Sequence, residues 1–169
     1  NKGHVMPIYH VGLDCEYINN ANFPDSFEHS NKWTFNQKYN IAICTLQLAN
    51  KKDCLVIDLS KIGPYLPDKL TKILISGCWL KTGVGINLDM KYLVDNFNLG
   101  FVCGIIDIVD IASMMGIDCP HMDNLLKVFN LSNTISKTKV SAIKNWSMFG
   151  PGITTDMLNY AANDAFASY

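Results

Sequence analysis

The chain has 169 residues, of which 49% are hydrophobic and 17% are charged. This length and composition predict a single globular domain with a real core and exclude a low-complexity chain. The formal net charge of −1 gives no overall electrostatic argument for or against a nucleic-acid partner, because a local basic patch is compatible with it.

Six cysteines are present, and they form no CxxC pair and no zinc-ligand spacing with histidine. Several lie in apolar runs such as 41–49 and 101–106, so we predict reduced thiols buried in the core of an intracellular protein, nuclear or cytoplasmic. There is no signal-peptide pattern and no apolar run long enough to span a bilayer, so we predict no membrane association. The chain begins without Met and ends within an apparent helix, and we expect residues 1–169 to be one domain of a longer protein.

Three strands are predicted first, at residues 8–17, 41–49 and 53–59, because these segments are rich in β-branched and aromatic residues. The short stretch 50–53 between the second and third strands predicts an antiparallel hairpin. Residues 18–40 are polar and rich in Asn, which predicts a long surface loop.

In the rest of the chain the apolar spacing predicts helices that alternate with further strands. The predicted elements are a helix after Pro67, a strand at 78–86 that runs into a glycine turn, a helix at 87–99 with Leu88, Tyr92, Leu93 and Phe97 on its apolar face, a strand at 101–106, a helix ending at Gly116, a helix after Pro120, and a last helix capped by Thr154 or Thr155. This order predicts a mixed sheet with helices packed on its faces, in an α/β or α+β arrangement.

Four carboxylates fall on these elements in positions that suggest chemistry. Asp14 and Glu16, in the stretch VGLDCEY, are two apart on the first strand and therefore share a face, while Cys15 between them points into the core. Asp89 opens a helix, and Asp164 lies one turn beyond Tyr160 in the last helix. A cluster of acids among apolar residues is best explained by bound divalent cations such as Mg²⁺, which support two-metal phosphoryl chemistry.

Each feature taken alone also has a purely structural explanation. The pair Asp14 and Glu16 is compatible with a solvent-facing strand edge. Asp89 is compatible with an ordinary acid at a helix N-terminus, and Tyr160 with Asp164 is compatible with an amphipathic helix. The glycines of GVGINL fail as a dinucleotide-binding fingerprint, because Leu88 occupies the third glycine position. The combination of all these features, in this order and spacing, favours the metal site.

The three motifs together resemble those of the DEDD family of 3′–5′ exonucleases, and the resemblance runs from Val11 to Tyr169. VGLDCEY resembles the first motif, KTGVGINLDMKYL the second, and LNYAANDA the third in its Tyr-containing form, called DEDDy. Asn159 occupies the position at which the sister subclass carries His. Among the branches, the chain is most similar to Werner-type exonuclease domains and, slightly less so, to RNase D.

The resemblance implies an RNase H-like fold, with a five-stranded mixed sheet flanked by helices. It also implies that Asp14, Glu16, Asp89 and Asp164 hold two Mg²⁺ or Mn²⁺ ions, while Tyr160 orients the attacking water. A phenol with an ordinary pKa of about 10 remains protonated at neutral pH, which suits a positioning role. The bound metal would supply the hydroxide.

Substrate contacts are expected next to the motifs. The resemblance places Cys15, Tyr17, Met90 and Lys91 at the 3′-terminal nucleotide, Cys15 through its backbone and Tyr17 through its ring. For Tyr17 a core position on the strand remains the alternative. Lys144 and Trp146 lie in the segment 137–146, whose lysines suit a phosphate backbone. A solvated lysine loop, with Trp146 as its anchor, is the alternative.

The sequence therefore predicts a metal-dependent 3′–5′ exonuclease that releases nucleoside monophosphates from single-stranded DNA or RNA 3′ ends. The alternative is a catalytically silent nuclease-fold module that binds nucleic acid or protein. Degenerate domains of that kind usually lack one or more carboxylates, whereas here all four acids and the tyrosine are present. A calcium-stabilised structural domain is disfavoured, because no EF-hand-like loop is found.

Overall fold

The computed structural model describes residues 7–19, 35–36, 41–118, 121–131, 146 and 154–169. Within them lie six strands, β1 (Tyr9–Asn19), β2 (Phe35–Asn36), β3 (Ile41–Ala49), β4 (Cys54–Asp58), β5 (Trp79–Gly83) and β6 (Ile105–Asp107). The helices of these residues are α1 (Asp68–Ile75), α2 (Ile86–Phe97), α3 (Ile108–Met114), α4 (Met122–Val128) and α5 (Thr155–Ser168). Cys119, Lys144 and most of the predicted loop 18–40 lie outside the described residues.

The strands form one mixed sheet in the order β2-β3-β1-β5-β6, with β4 also paired to β3. Strand β3 is antiparallel to β1, β2 and β4, whereas β5 is parallel to β1 and β6 is parallel to β5. Strand β2 pairs with residues 41–42 of β3, and β4 pairs with residues 45–49 on the same strand. Because β2 and β4 pair with different stretches of the same strand β3, the sheet is five strands wide, as predicted. The short strand β2 interrupts the loop that was predicted for residues 18–40.

Helices cover both faces of the central strand β1. Val11, Leu13 and Cys15 point to one face and pack in the main core with Leu70 of α1 and Leu93 of α2. Ile18 points to the other face and packs with Met157 and Ala161 of α5. The period-2 alternation of a strand therefore directs Asp14 and Glu16 towards α5, while Cys15 enters the core, as expected.

The hairpin between β3 and β4 confirms the predicted turn at residues 50–53. The amide N–H of Asn50 donates to the carbonyl of Asp53 over 2.9 Å. The Asn50 side chain accepts from the amides of Lys52 and Asp53 over 2.7 and 2.9 Å. An Asn side chain that mimics a backbone turn in this way is a standard means of reversing the chain.

Two apolar patterns were interpreted wrongly. The predicted strand 101–106 starts only at Ile105, because the backbone turns at Gly104, which has a φ of +66°. A Cβ at Gly104 would lie 2.5 Å from the Trp79 carbonyl oxygen, so glycine is required there. As a result Cys103 is exposed rather than buried; it is a free thiol, like Cys15 and Cys44 in the core.

Leu88 is the second correction. The spacing predicts it on the apolar face of α2 with Tyr92, Leu93 and Phe97, but it is 43% exposed while those three are buried.

In the described part of the chain, no helix combines the length and the apolar character needed to cross a bilayer.

Candidate active site

Strand β1 carries two acidic side chains on the face that is covered by α5. Asp14 and Glu16 are half-buried, whereas Cys15 between them is buried in the core. The pairing of β1 with β3 is regular up to Glu16 and shifts register between Glu16 and Tyr17. Such an irregularity bends and twists a strand locally, and it is a common device next to active sites.

Helix α5 brings Asp164 and Tyr160 to the same place. The helix begins at Thr155, where the hydroxyl of Thr154 accepts from the Met157 amide over 3.2 Å, so Thr154 is the cap. One carboxylate oxygen from each of Asp14, Glu16 and Asp164 lies within 4.8 Å of the other two. Three oxygens at this separation form a group that can hold a hard divalent cation such as Mg²⁺ or Mn²⁺.

Asp89 approaches this group from the first turn of α2. It is only 7% exposed. Burial, and then the neighbouring Asp14 and Asp107 carboxylates, raise the pKa of Asp89 to about 8. A carboxyl in this condition holds a proton at neutral pH unless a cation replaces it.

Tyr160 lies one helical turn before Asp164 and is hydrogen-bonded to its side chain. Burial, followed by the Asp164 and Glu16 carboxylates, raises the pKa of Tyr160 further above its ordinary value. The phenol therefore stays protonated and can donate or orient, but it cannot act as a base at neutral pH. The buried ring of Trp146 packs against it with the centroids 6.3 Å apart.

These side chains line one cavity of about 400 Å³. Its lining consists of Asp14, Cys15, Glu16, Tyr17, Val84, Gly85, Leu88, Asp89, Trp146, Tyr160 and Asp164. Among the described residues that line it, four are acidic and none is basic. Four carboxylates that line one cavity repel one another, and bound divalent cations would relieve that repulsion.

The structure brings some of the predicted substrate contacts to the cavity and not others. Cys15 and Tyr17 both line it; the Cys15 side chain is buried in the core, and the Tyr17 ring is 40% exposed and meets Tyr92 edge-on. Met90 is 2% exposed and belongs to the main core instead. Lys91 is exposed outside the lining.

Trp146 lines the cavity and is buried, so both its predicted substrate contact and the anchoring alternative stay predictions. Lys144 was predicted to contact substrate but lies outside the described residues.

Sequence reasoning missed three lining residues, Val84, Gly85 and Leu88, and one supporting acid, Asp107. The glycine turn was recognised as a turn, and its adjacency to Asp89 was the available signal for its place in the site. Nothing in the local sequence marks Asp107, which approaches the turn from a different strand.

The chain matches known proteins in both sequence and structure. A family model described as "3′-5′ exonuclease" matches residues 32–169, a range that contains Asp89, Tyr160 and Asp164 and begins after Asp14 and Glu16. Exonuclease 3′-5′ domain-containing protein 2 of Mus musculus is 27% identical over 164 residues, which is 92% of this chain and 22% of that protein. The chain thus spans about a fifth of the length of this curated relative.

Two solved structures share the fold. Escherichia coli RNase D, described as an exoribonuclease involved in structured RNA processing, superposes with a TM-score of 0.68 at 17% identity, over 95% of this chain and 36% of its own. Brucella melitensis NrnC superposes with a TM-score of 0.70 at 15% identity, over 96% of this chain and 69% of its own. Because the identities are low, these two likenesses show the fold alone, and it is the predicted RNase H-like fold.

The family model covers well over half of the chain, and three of the five expected catalytic residues lie in the matched range. The chain therefore belongs to the 3′–5′ exonuclease family, of the DEDD type.

Proposed function

We propose that this chain is an active, metal-dependent 3′–5′ exonuclease. It would release nucleoside monophosphates from single-stranded DNA or RNA 3′ ends by a two-metal-ion mechanism. The observation that carries the proposal is the set of carboxylate oxygens of Asp14, Glu16 and Asp164 within 4.8 Å of one another. They lie in a cavity that also contains Asp89 and Tyr160.

The four acids would hold the two ions, because their carboxylate groups suit Mg²⁺ and Mn²⁺. Hard cations prefer carboxylate oxygens, and the described lining offers four acids with no basic side chain. The chain also contains no arginine, so no guanidinium of its own is available to balance the charge of a scissile phosphate. When bound, Mg²⁺ or Mn²⁺ lowers the pKa of a water and stabilises charge on the phosphate and the leaving oxygen.

Tyr160 would orient the attacking water by a hydrogen bond. Its raised pKa keeps the hydroxyl protonated, and its bond to Asp164 ties the phenol to a residue that would ligate the metal. Trp146 packs on the ring of Tyr160 and limits where the hydroxyl can move. A water held in line with the phosphate gains rate from orientation alone.

Tyr17 and Leu88 would provide the surface for the terminal base. Both are apolar or aromatic lining residues, and both are well exposed, at 40% and 43%. Stacking of a base on an aromatic ring is worth about 1–3 kcal/mol and tolerates any base. This surface suits a single-stranded end, because an unpaired terminal base can turn its face to the side chains without first breaking a base pair.

The test is a cleavage assay on 5′-labelled single-stranded DNA and RNA with Mg²⁺, Mn²⁺ or EDTA. We expect a ladder that shortens from the 3′ end with either metal and disappears in EDTA. Asp14→Asn and Asp164→Asn remove a ligand charge with little change in size, and each should abolish the ladder. Asp68→Asn removes an exposed acid at the start of α1, outside the cavity, and should cleave like the parent chain.

Intact substrate under every metal condition would reject the active enzyme. In that case, binding of the same strands measured by fluorescence anisotropy would support the silent-module alternative.

A further inference from the structure

The Asp107 carboxylate connects the last strand of the sheet to the turn that precedes Asp89. Asp107 ends β6, is 9% exposed and accepts three hydrogen bonds. Its Oδ1 accepts from the Gly85 amide over 3.0 Å and from the Val109 amide over 3.0 Å. Its Oδ2 accepts from the side-chain amide of Asn87 over 3.3 Å. Two of these three donors, Gly85 and Asn87, lie at the start of α2.

Burial of Ile86 in the main core anchors the start of α2, but no side-chain cap hydrogen bond fixes it. Gly85 is the N-cap of α2, has a left-handed φ of +71° and provides no side chain to cap the helix. Gly83 packs so tightly on β1 that a Cβ would lie 2.7 Å from the Leu13 carbonyl oxygen. The turn is therefore held on one side by its contact with β1 and on the other by Asp107. Asp89 follows within the first helical turn.

We propose that Asp107 is a positioning residue of the active site, whose carboxylate holds Gly85 and Asn87 so that Asp89 stays in the cavity with Asp14. The inference rests on the proposed exonuclease function, and it adds to the motif residues one that touches neither substrate nor metal.

An ordinary capping role accounts for only part of this arrangement. Asp107 is the N-cap of α3 through its bond to Val109, and capping requires no bond to Gly85 or Asn87. The chain contains a comparison in Asp58, which ends β4 and accepts from the amide of Ser60, also two residues further on, over 3.0 Å. Asp58 does not line the cavity. A carboxylate that accepts backbone N–H groups forms charge-assisted bonds about twice as strong as neutral ones, which suits a clamp between two elements.

The experiment compares Asp107→Ala, Asp107→Asn and the matched cap variant Asp58→Ala in the whole chain. For Asp107→Ala we expect kcat to fall by about 10–100-fold with KM little changed, as is typical when the support of a metal ligand is lost. Asp107→Asn should lose less than Asp107→Ala, because its amide oxygen can still accept the Gly85 and Val109 bonds although the charge and the bond from Asn87 are lost. Asp58→Ala removes a cap of the same geometry and should leave cleavage unchanged.

Two measurements are independent of catalysis. Hydrogen–deuterium exchange of the peptide covering residues 84–90 should be faster in Asp107→Ala than in the parent chain and unchanged in Asp58→Ala. Mn²⁺ affinity, from calorimetric titration, should fall about tenfold in Asp107→Ala and stay unchanged in Asp58→Ala. If Asp107→Ala fails to fold, Asn87→Ala removes one of the three bonds from an exposed position and should show the same changes at smaller size.

Unchanged exchange at 84–90 together with unchanged Mn²⁺ affinity in a folded variant would overturn the positioning role. A loss of activity that Asp58→Ala shares would do the same, because it would indicate general destabilisation. If the parent chain cleaves nothing, the proposed function fails, while exchange and titration still decide the role of Asp107.

Discussion

Gly12 lies two residues before Asp14, where helix α5 packs directly on strand β1. A Cβ at position 12 would lie 2.0 Å from the Ala165 carbonyl oxygen and 2.6 Å from the Tyr169 amide nitrogen. Ordinary contacts begin at 3.4 Å, so Gly12→Ala must move the end of α5 away from β1 by about 1.4 Å. Because Asp164 precedes Ala165, its carboxylate must withdraw from those of Asp14 and Glu16.

The size of the effect follows from this displacement. A misplacement of about 1 Å in a catalytic arrangement costs about 100-fold in rate. Forcing an extra methyl group into a packed interface costs typically about 1–3 kcal/mol of folding free energy. We therefore expect Gly12→Ala to lose at least about 100-fold in kcat/KM while unfolding at a lower temperature.

The assay is cleavage of a 5′-labelled single strand at saturating Mn²⁺, with thermal melts and Mn²⁺ titrations on the same preparations. Weaker Mn²⁺ binding in a protein that is still folded separates a displaced ligand from a general loss of structure. Gly77→Ala is the matched control, because its nearest neighbour, the Cys103 Cβ, would lie at an ordinary 3.9 Å. A folded Gly12→Ala protein with the parent rate would refute the idea that this contact sets the position of Asp164.

Three further predictions follow from the ionisable groups. Tyr160→Phe removes the hydroxyl that would orient the water, so kcat should fall about 100-fold while Mn²⁺ affinity is retained; full activity would contradict the role. In the metal-free protein, burial and nearby carboxylates raise the pKa of Asp89 to about 8, so metal binding below that pH must release a proton. Calorimetry should then show that the Mn²⁺ affinity rises by up to about tenfold per pH unit from pH 6 to 8 and levels off above pH 8. A pH-independent affinity, or an equal slope in Asp89→Asn, would count against proton release from Asp89. Burial lowers the pKa of Lys81 to about 8 from 10.5, so the unfolded chain binds the proton more tightly and stability should rise with pH between these values. Urea denaturation in EDTA measures this rise, which should be largely absent in Lys81→Met; an undiminished slope would exclude Lys81 as its source.

Local patterns predicted the fold well wherever a single hydrophobic pattern, continuous or alternating, extended over a whole segment. The apolar run 41–49 is strand β3 with the predicted bounds, because all nine of its residues are buried. The alternation in VGLDCEY correctly separated the two acids from Cys15, since adjacent residues of a strand must face opposite ways. Thr154 was one of two predicted caps and is the one used, because its hydroxyl reaches the amide of Met157.

Other features depend on contacts that no local pattern contains. Leu88 fits the apolar face of its helix by spacing but lies at the rim, where the helix leaves the core to present Asp89. Met90 was expected at the substrate through its place beside Asp89, yet one residue of helix rotates a side chain by about 100° and directs it into the core. Asp107 meets Gly85 across 22 positions of sequence, so only the parallel pairing of β5 and β6 brings them together.

The electrostatics of the cavity give an argument for metal binding that does not depend on the motifs. Asp89 is buried beside the half-buried Asp14, and burial together with the neighbouring carboxylates raises its pKa to about 8, so that in the metal-free chain a proton lowers the charge of the cavity at neutral pH. A divalent cation removes more negative charge than a proton and accepts oxygens from several carboxylates at once. If Asp89 ligates a metal as proposed, proton and metal would compete for its oxygens, and metal binding would relieve the electrostatic repulsion among the carboxylates. An exposed pair of acids would carry little such repulsion, so the burial of Asp89, more than the spacing of Asp14 and Glu16, favours the proposed metal site over a harmless strand edge.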